Sequence, residues 1–500
     1  MTNRIGFQGI TRRSLLKNTA AAALTSLFAR RGFATATPNF QPTPGGQLTQ
    51  ASLAVTSGTV GTVPAAFVGL SYSKEKMLGT LFTGSNSSLI GVLQRLGPSI
   101  LRIGGSSVDQ SVWQPNGSGG QQGYVATKDV DNLADFLNGT GWSCLYGVNL
   151  AGAIKGATTP GMAADEIAYV AEKLGPALVG VEIGNEPDLY GNPGHLLADY
   201  DWSFDKFLSL WNEFRTAIVR NTPGVAITGP ADGGTPTGWT IPFGKVVTNR
   251  NINLLTQHHY QGSAKWPTST VEELLLPDPH LINDLANLNS FSAANRIPFR
   301  ISECNSYDHN SPRKVNISST YATALWGLDF MFTCALGGAA GVNFMAGGDS
   351  NGYSPIRNGS DQVVQICPLY YAMLMFTLAG TGTLLETQLS VGGLNVTGYA
   401  VESPAGGMNL IVINKESSQN LQLTIQLPNS YDSASLMQMT QRYSDTTIPD
   451  LRATKGVTIQ SAAVELDGAF NPNTAYTLIP NETLLNCYVP ALSAVLIQTT

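Results

Sequence analysis

Between residues 67 and 348 the chain repeats one pattern, a short apolar, β-branched run followed by a stretch with helical spacing. The eight runs are FVGLSY from Phe67, SILRIGG from Ser99, WSCLYGVNL from Trp142, ALVGVEIGNEP from Ala177, VAITGPA from Val225, NLLTQHHY from Asn253, PFRISECNS from Pro298 and AAGVNFMAGG from Ala339. Their starts lie 28 to 48 residues apart, which leaves room for one strand and one helix per unit. The clearest helical pattern places Phe204, Phe207, Leu208, Trp211, Phe214 and Ile218 on one face. Strand then helix, eight times over, predicts a (β/α)8 TIM barrel across about residues 67–380.

Beyond residue 380 the period changes. NLQLTIQLP, MNLIVINK and ALSAVLIQT read as strands separated by Gly, Asn, Ser and Pro turns, so residues 381–500 are expected to form a β-sandwich domain. The stretch 45–66 is strand-like too, and the N-terminal segment 37–66 is expected to join the same domain. No low-complexity linker separates the two parts, which predicts firm packing between them.

Residues 1–36 read as an export signal. A twin-arginine pattern in Thr11–Lys17 precedes a mildly apolar stretch and an Ala34-Thr35-Ala36 cleavage site, the features of Tat export to the periplasm or the exterior. No later segment has the apolar length of a membrane span. The signal carries six basic residues and no acid, so residues 37–500 hold 22 bases against 34 acids, a net of −12. Such a surface repels nucleic acid and highly sulfated polysaccharides. Five cysteines, odd in number and without CxxC spacing, are expected to be mostly buried free thiols.

In a barrel, chemistry collects where strands end at the C-terminal face. The polar residues there are Arg102 and then Asp109 after strand two, Asn185-Glu186 after strand four, His258-His259-Tyr260 on strand six and Glu303 on strand seven. Two carboxylates converging from strands four and seven, Glu186 and Glu303, suit glycoside hydrolysis, one as proton donor to the leaving oxygen and the other attacking the anomeric carbon. Arg102 is placed to help ionise Glu303, and Asn185 to donate to a sugar 2-OH. Adjacent His258 and His259 point to opposite faces of a strand, so they cannot share an ion; neither a metal nor an organic cofactor is expected. Trp113, Trp239 and Trp266 are candidate sugar platforms, with core or loop packing the commoner fate.

The series FVGLSY, LRIGGSSVD, VEIGNEPDLY, QHHY and ISECNSY resembles the clan A retaining glycosidases, and within them glycoside hydrolase family 79, the β-glucuronidase and heparanase-like enzymes. The resemblance spans about residues 60–500. It implies Glu186 as acid/base and Glu303 as nucleophile, and it implies Asn185, Asp109, Tyr260 and Tyr353 as contacts to bound sugar. It also implies an exo-acting β-glucuronidase. One departure stands out: where the family carries a Tyr and a Gly-Gly pair past the nucleophile, this chain has Cys304 to Asn310 with no Gly-Gly.

For a uronate carboxylate the chain offers Tyr260, Tyr307 and Tyr353 as donors, with His309, Arg313 and Lys314 behind the nucleophile. Asp308 stands about where a family tyrosine would be, and a carboxylate there favours neutral sugars unless a cation intervenes. A β-glucosidase or β-xylosidase, or a non-catalytic carbohydrate-binding barrel, are the alternatives; an endo-acting heparanase-like enzyme is disfavoured by the acidic charge.

Overall fold

The computed structural model describes residues 46–247, 252–308, 316–347, 352–441 and 448–500. The expected export signal, and His309, Arg313 and Lys314, lie outside the described residues. Eight parallel strands close into a barrel in chain order: Gly69–Ser73, Ile100–Gly104, Ser143–Val148, Leu178–Ile183, Ile227–Asp232, Ile252–Ser263, Phe299–Asp308 and Val342–Ala346. They are called the first to eighth barrel strands below. Each of the eight apolar runs read from the sequence overlaps one of them.

The helices fold for the reasons their spacing suggests. Helix Phe204–Asn221 starts at Ser203, whose hydroxyl accepts from the Lys206 N–H, and it buries Phe207, Trp211, Phe214 and Ile218 against the barrel. Helices Ala322–Leu336 and Pro368–Ala379 are apolar on nearly every face. Both are covered on two sides. Phe332 packs on Phe376 at 4.6 Å and stacks on Tyr399 of the C-terminal sheet at 4.7 Å.

That C-terminal domain is one curled mixed sheet of ten strands. The N-terminal strand Gln47–Val63 is part of it, antiparallel to Gly382–Ser390 and parallel to Gln419–Gln426. Strand Met408–Asn414 shows how the sheet buries both faces. Leu410 and Val412 join Leu53 and Leu423 in the domain's own core, while Ile411 and Ile413 belong to the larger core shared with the barrel. Among the described residues no helix is long and apolar enough to cross a membrane.

A polar clamp fixes this interface. Asp329, on helix Ala322–Leu336, accepts from Thr397 and Tyr399 at 2.6 Å each and pairs with Lys415 Nζ at 2.7 Å. Lys415 is almost fully buried, so Asp329→Ala strands its charge. The side chain of Asp329 keeps some contact with solvent, which moderates the cost to about 1–3 kcal/mol, read as a fall in the thermal midpoint.

Candidate active site

Barrel interiors are ordinarily filled by layers of branched apolar side chains. Here the upper layer is charged. Arg102, on the second strand, is fully buried; its guanidinium donates to Glu182 at 2.5 Å, Glu303 at 2.8 Å, Ser71 at 3.0 Å and Asn185 Oδ1 at 2.8 Å. Four strands therefore meet on one cation. Its charged form is favoured by Glu182 and Glu303, although burial opposes it.

Glu303 accepts a second hydrogen bond on its other oxygen, from the Tyr260 hydroxyl at 2.8 Å. With both oxygens held by donors, it sits as an attacking carboxylate must. Proximity to Glu303 and burial push the Tyr260 phenol well up, so it stays a proton donor to that carboxylate.

Glu186 lies three residues past the fourth strand, in the left-handed region, φ 51°, a costly conformation for a non-glycine residue. Its N–H is held by the Ala231 carbonyl at 2.9 Å, and Gly233 leaves space that a side chain would take, since a Cβ there would lie 3.0 Å from the Glu186 carboxyl. Burial raises the Glu186 pKa; Arg102 and His195 oppose that rise, and Asp308 adds to it. His258 Nδ1 lies 2.9 Å from Glu186 Oε1. Burial lowers the His258 pKa to about 4, so the imidazole is neutral and adds no cation beside the acid.

A ligand oxygen of Glu186, one of Glu303 and a His258 nitrogen all lie within 4.8 Å of one another. This trio has metal-ligand chemistry, but the Arg102 guanidinium on Glu303 sets a fixed cation against a bound one. The two histidines diverge as strand alternation requires, His258 to Glu186 and His259 outward to Asp278 at 2.9 Å.

Several expected contacts take other roles. Asp109, expected at the sugar, has all four lone-pair positions filled: Leu150 and Ala151 N–H at 2.8 and 2.9 Å, Asn185 N–H at 3.0 Å and the Tyr190 hydroxyl at 2.6 Å. It is a positioning residue that ties the loops after strands two, three and four. Tyr190 reaches it past Gly184 (φ 87°), where a Cβ would lie 2.6 Å from the Tyr190 oxygen. Tyr307 is buried and donates to the Thr270 carbonyl at 3.1 Å, so its proton serves the loop instead of a uronate.

Arg102 holds the Asn185 carbonyl oxygen at 2.8 Å, and among the described residues no hydrogen bond is assigned to the Asn185 amide NH2. Tyr353 lies beside Tyr260, ring centroids 5.9 Å apart, with its pKa raised to about 12 by burial and by Glu303. Asp308 ends the seventh strand, close enough that its charge raises both Glu186 and Tyr353. Trp113 packs on Tyr169 and Trp239 on Phe207, as core residues, while Trp266 is 57% exposed. All five cysteines are buried and free.

Glu182, His258 and Tyr190 were not assigned these roles from sequence. Glu182 had a readable signal, a lone acid inside VEI that needs a buried partner as much as the lone Arg102 in ILRIG does.

No family model matches the chain. A β-glucuronidase of Aspergillus niger is 24% identical over 290 residues, 50% of this chain and 52% of the relative. The chain thus spans about half the length of the curated relative it matches. Among solved structures, a 4-O-α-L-rhamnosyl-β-D-glucuronidase from Fusarium oxysporum superimposes with a TM-score of 0.72 at 16% identity, covering 90% of this chain and 100% of that one. A GH51 arabinofuranosidase from Xanthomonas axonopodis pv. citri gives 0.65 at 14%, covering 90% and 100%. The chain therefore shares the barrel-and-sheet fold of glycoside hydrolases.

Proposed function

We propose that this protein is a retaining exo-β-glycosidase that hydrolyses terminal β-D-glucuronides by double displacement. The observation that carries this is the pair of carboxyls: Glu186 and Glu303 bring oxygens within 4.8 Å of each other, near the separation of about 5–5.5 Å typical of retaining enzymes. The likeness to a β-glucuronidase and a rhamnosyl-glucuronidase supports the glycone.

In the first step a Glu303 oxygen attacks the anomeric carbon, the bond to the leaving oxygen breaks, and Glu186 gives that oxygen its proton. In the second, water attacks the same carbon, Glu186 takes the water proton, and Glu303 leaves as a carboxylate. The raised Glu186 pKa keeps the acid protonated to higher pH than an ordinary glutamate, so activity falls on the alkaline side as that proton is lost. Glu186→Gln is expected to slow poor leaving groups by roughly 10²- to 10⁴-fold, to affect activated aryl glycosides less, and to remove the alkaline limb. An equal loss on both leaving groups contradicts the assignment. Every bond change is made by these two acids and water, so a chelator should leave the rate unchanged.

Asp308 favours a second reading, a neutral β-glucoside or β-xyloside, because its charge reaches Glu186 and Tyr353. Comparing kcat/KM on matched aryl β-glucuronide, β-glucoside and β-xyloside decides between them; a neutral glycoside preferred about tenfold overturns the uronate reading. Export through the twin-arginine route is supported by Thr11–Lys17 and Ala34-Thr35-Ala36, and is tested by locating the protein after Arg12→Lys/Arg13→Lys.

A further inference from the structure

We infer that the cleft beside Glu186 is a cationic subsite for a leaving group that carries a carboxylate, with Lys155 and His195 as its recognition residues. This rests on the glycosidase reading above.

The cleft has a volume of about 320 Å³, at the lower end for ligand sites and suited to one ring-sized group. Glu186 lines it; Glu303, Tyr260 and Tyr353 do not. That asymmetry gives it a direction. The anomeric carbon must lie at Glu303, and Glu186 must reach the oxygen that departs, so what lies beyond that oxygen occupies Glu186's side.

Its charge is the second observation. Lys155 comes from the loop after the third strand and His195 from the loop after the fourth, and both line the cleft. Both are exposed, and among the described residues neither side chain has a hydrogen bond or ion pair assigned to it. His195 lies close enough to Glu186 to lower its pKa. Lys155 is the fixed cation of the cleft and His195 offers a ring nitrogen, while the acids on the opposing walls are engaged elsewhere. Asp109 is saturated by four protein donors, and Glu186 is protonated in the form that cleaves. Lys155 thus presents a cation to the cleft with no side-chain partner among the described residues, in a chain of net charge −6, and Gln110 and Ser106 add neutral polar groups.

The test compares phenyl β-D-glucuronide with its 3-carboxyphenyl analogue, in wild type, Lys155→Met, Lys155→Glu and Lys155→Met/His195→Gln. Comparing the ratio of the two substrates between proteins cancels the difference in leaving-group acidity. An exposed ion pair is worth up to roughly fivefold, so Lys155→Met should lower the carboxyphenyl-to-phenyl ratio of kcat/KM by about three- to fivefold, mainly through KM. Lys155→Glu should lower it further, and added salt should shrink the wild-type preference. A ratio that is the same in wild type and Lys155→Glu overturns the inference. So does a Lys155→Glu effect confined to phenyl glucuronide against phenyl glucoside, because the cation would then hold the glycone's own carboxylate. If wild type cleaves none of the glycosides, the glycosidase reading itself fails, an outcome separate from an unchanged ratio.

Discussion

Glu303→Gln is expected to abolish turnover on every glycoside, activated or not, by on the order of 10⁵-fold, the scale at which loss of a covalent nucleophile acts in other hydrolases. The reason is positional. Glu303 lies midway along the seventh strand with Arg102 at 2.8 Å on one oxygen and Tyr260 at 2.8 Å on the other, so the attacking group is held and desolvated before substrate arrives. An amide of the same shape keeps the packing and loses the nucleophile. It also sets an NH2 against donors on both sides, so a thermal midpoint belongs beside the rate. The contrast with Glu186→Gln is diagnostic: better leaving groups should rescue the acid variant and leave the Glu303 variant inactive. Normal turnover by Glu303→Gln is incompatible with double displacement at this site.

Arg102→Met is expected to give the largest loss of stability, about 3–5 kcal/mol, because it leaves a buried ion network without its cation. Glu182 is completely buried, and Arg102 is the only ion-pair partner recorded for it among the described residues. In the variant, an orphaned carboxylate binds a proton more tightly folded than unfolded, so the variant's deficit should shrink as pH falls. Chemical denaturation at neutral and acidic pH measures both the deficit and its slope. A deficit under about 1 kcal/mol would mean that the Arg102 network is not the strut that joins the first, second, fourth and seventh strands.

The barrel was legible because its periodicity is local: each strand is a short apolar run, and a helix such as Phe204–Asn221 writes its buried face at 3.6-residue spacing. The N-terminal strand also declared itself by composition, though nothing local gives its parallel partner, Gln419–Gln426, which lies far along the chain. The acids were legible for a different reason. A carboxylate at the end of an apolar strand has no packing explanation, and two of them on strands four and seven suggest a chemistry.

What sequence could not supply was the direction of hydrogen bonds. Asp109 was expected at the sugar from the family resemblance, but the closure of three loops fills its oxygens with protein donors. Tyr307 lies just past the seventh apolar run, which reads only to Ser306, yet strand seven extends to Asp308 and buries it. Lys155 and His195, single residues in long loops, gained meaning only when the fold set them around one cleft.

The most direct measurement is covalent trapping. A 2-deoxy-2-fluoro-β-D-glucuronyl fluoride slows both steps but, through its fluoride leaving group, allows the first, so the glycosyl-enzyme should accumulate. Peptide mass spectrometry of the inactivated protein should find one fluoroglycosyl unit on Glu303, with Glu303→Gln unlabelled. Label on another residue, or hydrolysis of aryl glucuronide that continues with Glu303 unmodified at saturating probe, would contradict the assignment of Glu303 as the nucleophile.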